Sequence, residues 1–489
     1  MSGGAAAADA PLGERPRVGL PTMLVHGAGF ISSSVKSRGL STFLMVFYNQ
    51  VMGLPAAWVG LGTGLALIFD AIVDPAVGYA SDNTRTRWGR RHPFMYAAAA
   101  PIAILFFLLW NPPTGLEPMA LFGYMMACLL SIRLFDTFFE LPASALAPEL
   151  VDDYDKRTTL IAMRALLGVI GGLAMIVFAY QVAMKENPDG TGGLLAKDGY
   201  FSYGMVGGVV IFLAIMTASI GTHRFIPWLR KAPAKTKDKP RTPLREVWET
   251  LGRRSFLTIM LSGMMVSLAG SLTSGLTLYV GLFFWEFTQG QLATVATLNA
   301  GAVVIGVLIA PHISRAMGKR NAAILTYIAG ALGELVPYFA RLAGVMPENG
   351  DPWVFRIVAA GGFINMVSWT MTGTLLTAMV ADVCEEAAVK TGRRAEGVLF
   401  AADSLFKKIS SAGGPAIAGL ILAAAAFPAG AKKGEVPADV LQNLMFIYLP
   451  TLIGIYAISI TALAFYDITR ASHARNLETL AARAATGDD

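Results

Sequence analysis

The stretch DAIVDPAVGYASDNTRTRWGRR, Asp70 to Arg91, decides how the chain is read. Asp70 and Asp74 sit four residues apart at the end of an apolar run that must be buried in lipid. Residues i and i+4 share one helix face, with Cβ atoms about 6 Å apart. Two ionised carboxylates that close repel each other, and lipid makes the repulsion worse. A bare charge at the bilayer centre costs at least ~2.5–3.5 kcal/mol. The pair is tolerable only where a proton, a bound cation or a basic side chain offsets it, which is the logic of a cation-coupled carrier. Asp82 and a burst of arginines, Arg85, Arg87, Arg90 and Arg91, follow at once.

The rest of the chain agrees with a membrane setting. It has 489 residues, is 54% hydrophobic and only 15% charged, against roughly 25% charge for a soluble domain. The mean hydropathy is +0.54, and the apolar residues come in long blocks rather than amphipathic ones. A large soluble enzyme is excluded on that ground, and no catalytic role or cofactor is expected. The net charge of +6 comes from lysines and arginines clustered in alternate loops, a topology signal rather than a nucleic-acid surface. Cys128, in a span, and Cys384, in an expected cytoplasmic loop, support neither a disulfide framework nor a metal site. The Ala/Gly-rich start has no apolar h-region, so no cleaved signal peptide is expected.

About twelve spans of ~20 residues are legible. They fall near 24–51, 57–80, 93–111, 118–147, 158–184, 201–222, 255–284, 291–315, 322–343, 354–380, 398–427 and 442–468. The first is the least clean, because it holds Lys36 and Arg38. Basic residues crowd the loop after span two, the long loop around RKAPAKTKDKPR, the loop with Lys319 and Arg320, and the loop with Lys390, Arg393 and Arg394. The positive-inside rule therefore puts both termini and the long loop in the cytoplasm. The expected division is a cytoplasmic tail 1–23, a six-helix bundle 24–222, a basic linker 223–254 with a short interfacial helix at LREVWETL, a second six-helix bundle 255–468 and a cytoplasmic tail 469–489. TRTRWGRR after span two and SRAMGKR after span eight are a trace of internal repetition. Matching positions in two six-span halves point to the major facilitator arrangement, an all-α membrane fold with a central site.

Four stretches resemble the glycoside–pentoside–hexuronide:cation symporter family, of which melibiose permease is the best-known type. They are Asp70-x3-Asp74-Pro75 with Gly78, Ser81, Asp82 and RxRWGRR; Glu140–Pro142 with Pro148 and Glu149; VADV at Val380–Val383 leading to TGRRAEG; and DSLFKKISSAGG with Lys408. The resemblance implies that Asp70 and Asp74 bind the coupling cation, sodium or a proton, with Thr137 as a hydroxyl ligand and Ser404 nearby. Hard cations such as sodium want oxygen ligands of this kind. It also implies that Glu140 and Arg164 hold the sugar and that Lys408 lies close to the cation acids. Three positions depart from the pattern. Ser34 stands where the first-span pocket acid is expected, Ser144 near a sugar-stacking tryptophan, and Val73 in place of an asparagine between the two acids. The first two weaken a galactoside reading, and the third removes one sodium ligand. A lysolipid symporter group of the same superfamily leaves an amphipathic solute as the alternative.

Other residues are weighed on their own spacing. Arg133, Asp136 and Glu140 lie at i, i+3 and i+7 on one face and must meet protein or water. They read either as a pocket wall, with Arg133 the fork for a carboxylate, or as an Arg133–Asp136 pair hiding both charges. Lys36, Arg38 or Lys408 are alternative partners for the acid pair, which would make it a structural network. The arginine burst reads as positive-inside topology, or as a cytoplasmic latch in which these arginines, Lys319 and Arg320 pair with Asp82, Glu149 and Asp382 about turns at Gly89 and Gly318. Trp369 and Tyr279 are sugar-facing candidates or core. Asp403 is expected to pair with Lys407, Glu334 is a further buried acid, and His26 reads as a hydrogen-bonded interior residue.

The expectation is a multi-pass carrier of a bacterial inner membrane, a monomer, taking up a sugar, glycoside or hexuronide with sodium or a proton by alternating access. The expected partners are the small solute, a monovalent cation and the lipid bilayer, with no nucleic acid.

Overall fold

The computed structural model describes residues 16–151, 153–186, 192–229, 254–391 and 396–486. Backbone N–H and C=O groups in lipid must be satisfied within the segment, so the apolar blocks fold as helices. The helices are α1 (Leu20–Ala28), α2 (Phe30–Val46), α3 (Ala56–Asn83), α4 (His92–Trp110), α5 (Pro118–Leu150), α6 (Tyr154–Phe178), α7 (Asp198–His223), α8 (Arg254–Tyr279), α9 (Gln289–Met317), α10 (Lys319–Leu342), α11 (Pro352–Thr391), α12 (Glu396–Ala424), α13 (Ala438–Ala464) and α14 (Arg470–Thr486). Among the described residues, ten helices are long and apolar enough to cross a membrane. The segments read as the first and eleventh spans are helical but fall outside that set. The first is broken at Gly29 between α1 and α2 and carries Lys36 and Arg38. The other, α12, carries Asp403, Lys407 and Lys408. Both line the central cavity, α2 with Arg38 and serines and α12 with Ser411, and their other charged residues are held in ion pairs.

Several boundaries move. The first helix starts at Leu20 rather than at 24, and α11 runs on to Thr391 rather than stopping at 380. Cys384 is therefore buried inside α11 and not in a loop. The C-terminal tail is a helix, α14, laid against the end of α11. The basic linker from 230 to 253, with the LREVWETL stretch, lies outside the described residues, as do Arg393 and Arg394.

Contacts are dense within α1–α7 and again within α8–α13. Three pairings join these groups: α3 with α12, α2 with α8, and α6 with α9. The α3–α12 crossing depends on missing side chains. A Cβ on Gly60 would stand 2.3 Å from the Pro415 carbonyl oxygen, and one on Gly419 would stand 2.4 Å from that of Ala56. Small residues let two backbones approach this closely in lipid. Helices α2 and α8 end alike, in single π-turns at Phe47–Val51 and Val280–Phe284. Here the groups are stitched together. Tyr279 donates to Asn49 Oδ1 at 2.7 Å, and Gln50 donates to the Pro428 carbonyl at 3.1 Å. At the opposite end of α3 and α12, Ile72, Tyr79, Ser404, Leu405 and Lys408 are exposed. The centre of the protein is thus sealed at the end carrying Asn49 and Tyr279 and open toward the end carrying the arginine burst.

Candidate functional site

A cavity of about 870 Å³ lies between the two groups of helices, lined from α2, α3, α5, α6, α8 and α12. Helix α2 turns Ser34, Ser37, Arg38 and Ser41 into it, a spacing that keeps them on one face. Its other face buries Val35 and Phe43 in the core. Seven serines line the cavity in all, four from α2, two from α8 and one from α12. Ser33 Oγ is buried with no hydrogen-bond partner.

Four charged side chains line this space, Arg133 among them through the acid network described below. Arg164 of α6 donates to Ser144 Oγ at 2.8 Å, and its guanidinium lies over the Phe30 ring at 3.7 Å. Glu140 of α5 is exposed on the wall and has no ion pair among the described residues. Arg38, on α2, is likewise on the wall, exposed and without an ion pair among the described residues. Its stem passes the bare backbone of Gly172. Glu140 and Arg164 were legible as pocket residues. Arg38 was read only as a candidate partner for the membrane acids, and the i+4 step from Ser34 is the signal that would have marked it.

The acids themselves sit beside the cavity in a compensated network. Arg133 Nη1 donates to Asp70 Oδ2 at 2.9 Å, with both side chains largely buried. Lys408 of α12 pairs with Asp74 Oδ2, and Thr137 Oγ1 lies 3.0 Å from Asp74 Oδ1. Lys36, almost wholly buried on α2, pairs with Asp136. Arg133 therefore turns across to α3 instead of pairing with Asp136 within α5, and Asp136 is taken by a neighbouring helix. Removing one member of such a pair strands a charge in a medium that solvates it badly. Arg133 also lines the cavity, so it connects the acid pair to the space a solute would fill.

Ser404 is exposed one turn before Lys408 and makes no hydrogen bond among the described residues. Trp369 does not line the central cavity and belongs to a second one described below. Tyr279 is buried core at the sealed end. His26 Nε2 bonds the Ala143 carbonyl at 3.0 Å, and Lys407 pairs with Asp403 at 2.7 Å.

Toward the arginine burst, the further ion pairs among the described residues form within each group of helices, while Lys408–Asp74 crosses between them. Glu149 is bonded by Arg90 and, at 2.8 Å, by Arg91, with Asp82 3.4 Å from Arg90. Lys319 pairs with Asp382 at 2.5 Å, and His473 of α14 approaches Glu385 at 3.0 Å. Arg87 stacks on Trp88, and Arg85 is exposed just before that turn. Gly89 and Gly318 have φ of +73° and +81°, the left-handed conformation that glycine adopts without strain.

A family model described as MFS/sugar transport protein matches residues 25–470. The isoprimeverose transporter of Lactiplantibacillus pentosus is 24% identical over 88% of this chain and 85% of its own length. A lactose permease of Leuconostoc lactis is 24% identical over 90% of this chain and 68% of its own. Among solved structures, a mutant of the nucleoside transporter NupG superposes with a TM-score of 0.63 at 10% identity, covering 91% of this chain and all of that one. That likeness speaks to the fold alone. The ten apolar helices and the family match make this a multi-pass membrane transporter and not an enzyme. The chain belongs to the MFS/sugar transport protein family, within the glycoside–pentoside–hexuronide symporter-like branch of the major facilitator superfamily.

Proposed function

We propose that this chain is a cation-coupled symporter for a small sugar, glycoside or hexuronide, working by alternating access. The observation that carries the reading is the serine-lined central cavity with Arg38, Arg164 and Glu140 on its wall and the Asp70–Arg133 and Asp74–Lys408 pairs beside it. Serine hydroxyls and Glu140 offer hydrogen bonds to sugar hydroxyls. The two arginines leave the wall net basic, which favours an acidic sugar with its anion on Arg38 and Arg164. The solutes named for the similar transporters, isoprimeverose and lactose, support the sugar class over an amphipathic one.

In this reading the chain forms twelve spans in two six-helix bundles that rock about the cavity. Both termini and the linker face the cytoplasm of a bacterial inner membrane, so the open end is the inner one. The coupling ion, sodium or a proton, enters at Asp74 and Thr137. Lys408 is its exchangeable competitor, because it is half-exposed while Arg133 is not. When the ion arrives, Lys408 is released, α3, α5 and α12 settle, and solute affinity rises. Linkage makes the effect reciprocal. Reconstitution into liposomes tests this directly. Concentrative uptake of a glucuronide or glycoside should follow an imposed sodium or proton gradient. Facilitated equilibration insensitive to both gradients would refute coupling, and no uptake across a sugar panel would refute the solute class.

A further inference from the structure

A second cavity of about 320 Å³ lies within α8–α13 and meets the central one at Ser274, which lines both. Ser274 Oγ lies 3.4 Å from the Ser41 carbonyl of α2, and the neighbouring Thr42 lines the second cavity. Its walls carry Trp285, Trp369, Tyr338, Tyr448 and Tyr456, and one carboxylate, Glu334 of α10. Nothing in the cation network or the arginine wall uses these residues.

Glu334 is the anomaly. An intramembrane acid is expensive and ordinarily paired. Among the described residues no base pairs with it. Arg341, two turns further along α10, is turned away to the Pro347 carbonyl and Asn349. The carboxylate receives one long hydrogen bond, from Tyr448 at 3.4 Å, although an ionised carboxylate accepts about four. Tyr448 is itself within 3.2 Å of Thr273. A second acceptor, Asn299 Oδ1, is buried on the same walls with no partner among the described residues. Trp369 is 39% exposed and lines this cavity. It packs closely on α8 because residue 270 has no side chain, and a Cβ there would stand 3.0 Å from Trp369 Cζ2. The chamber thus has an aromatic face and unfilled acceptors, and it adjoins the solute cavity through the shared Ser274.

We infer that this chamber is a second solute subsite, which takes a neutral polyhydroxylated ring of a two-ring solute whose other ring lies in the serine-lined cavity. The ring's hydroxyls donate to Glu334 and Asn299, and its C–H face lies on Trp369. A bare carboxylate repels an anionic end, so an acidic solute is oriented with its anion toward Arg38 and Arg164. The inference rests on the sugar reading above.

Calorimetric titration of the full chain in nanodiscs tests it, with isoprimeverose against xylose and lactose against galactose. At least one disaccharide should bind roughly tenfold or more tightly than its monosaccharide, the scale of hydrogen bonds to a charged group. Glu334→Gln should remove most of that ratio, and so should Trp369→Ala, which reads the same ratio should the first variant fail to fold. Equal affinities for one ring and two in the parent overturn the chamber and leave the sugar reading standing. The same holds if both sugars weaken in parallel in the variants, which is the mark of a structural role. Choline binding that Glu334→Gln abolishes, with no disaccharide advantage, would make the chamber an ammonium site and overturn the polyol assignment. A parent that binds none of the sugars overturns the sugar reading and the chamber with it.

Discussion

Arg133→Gln isolates the compensation of the acid pair. The guanidinium lies 2.9 Å from Asp70. At an effective dielectric of about 20 their gross attraction is about 6 kcal/mol, much of it offset by the cost of drying both groups. Deleting one partner is worse than never having the pair, because a carboxylate then stays buried alone, at a cost of about 3–5 kcal/mol. Asp70 keeps 16% of its side-chain exposure, so the lower end of that range, about 3 kcal/mol, is expected. Sodium able to replace the guanidinium restores stability by mass action, about 2.7 kcal/mol at a hundredfold excess over its Kd. Reversible unfolding of purified protein in sodium chloride and in choline chloride measures both quantities. The parent should be indifferent to sodium at Asp70, the variant sodium-stabilised, and the double variant Arg133→Gln/Asp70→Asn restored without sodium. An Arg133→Gln protein within about 0.5 kcal/mol of the parent would refute the argument, as would a double variant no better than the single one.

Asp74→Asn should abolish cation-stimulated uptake while the protein stays folded, and full concentrative uptake would remove Asp74 from coupling. Arg38→Gln and Arg164→Gln should each weaken a glucuronide roughly tenfold or more and its neutral glucoside much less; equal losses would make both arginines structural. Gly60→Val cannot fit against the Pro415 carbonyl and should part α3 from α12 at the sealed end. A cysteine at position 49 should then become reactive from outside, and unchanged labelling would show that this crossing does not hold the seal. A cysteine at position 237 should label only from the cytoplasmic face, and periplasmic labelling would invert the topology.

Much of the architecture was legible because lipid imposes a simple rule: long apolar blocks become helices. The acid pair, the arginine burst and the glycines of the tight turns were equally plain, since each is a local pattern. Pairing across helices was not. Helical spacing says that Arg133, Asp136 and Glu140 share a face, but not that α3 stands close enough to capture Arg133 while α2 captures Asp136. The reach of a lysine or arginine stem exceeds the separation of neighbouring helices, so the partner is decided by packing. The Glu334 chamber was hidden for the same reason. Its walls are assembled from separate helices and loops, so Trp369 as a sugar-facing candidate and Glu334 as a buried acid could be read singly but not as one chamber.

The pairing of Asp70, Asp74 and Asp136 with Arg133, Lys408 and Lys36 also has an electrical consequence. These six side chains sum to zero. The empty carrier can therefore reorient without dragging their charge through the membrane field. A sodium ion or proton added at Asp74 makes the same cluster carry one positive charge. Moving that charge through the full potential is worth about 2.3 kcal/mol per 100 mV. Voltage would then drive the loaded half of the cycle and leave the return step nearly indifferent, so hyperpolarisation should speed uptake without slowing recovery of the empty site.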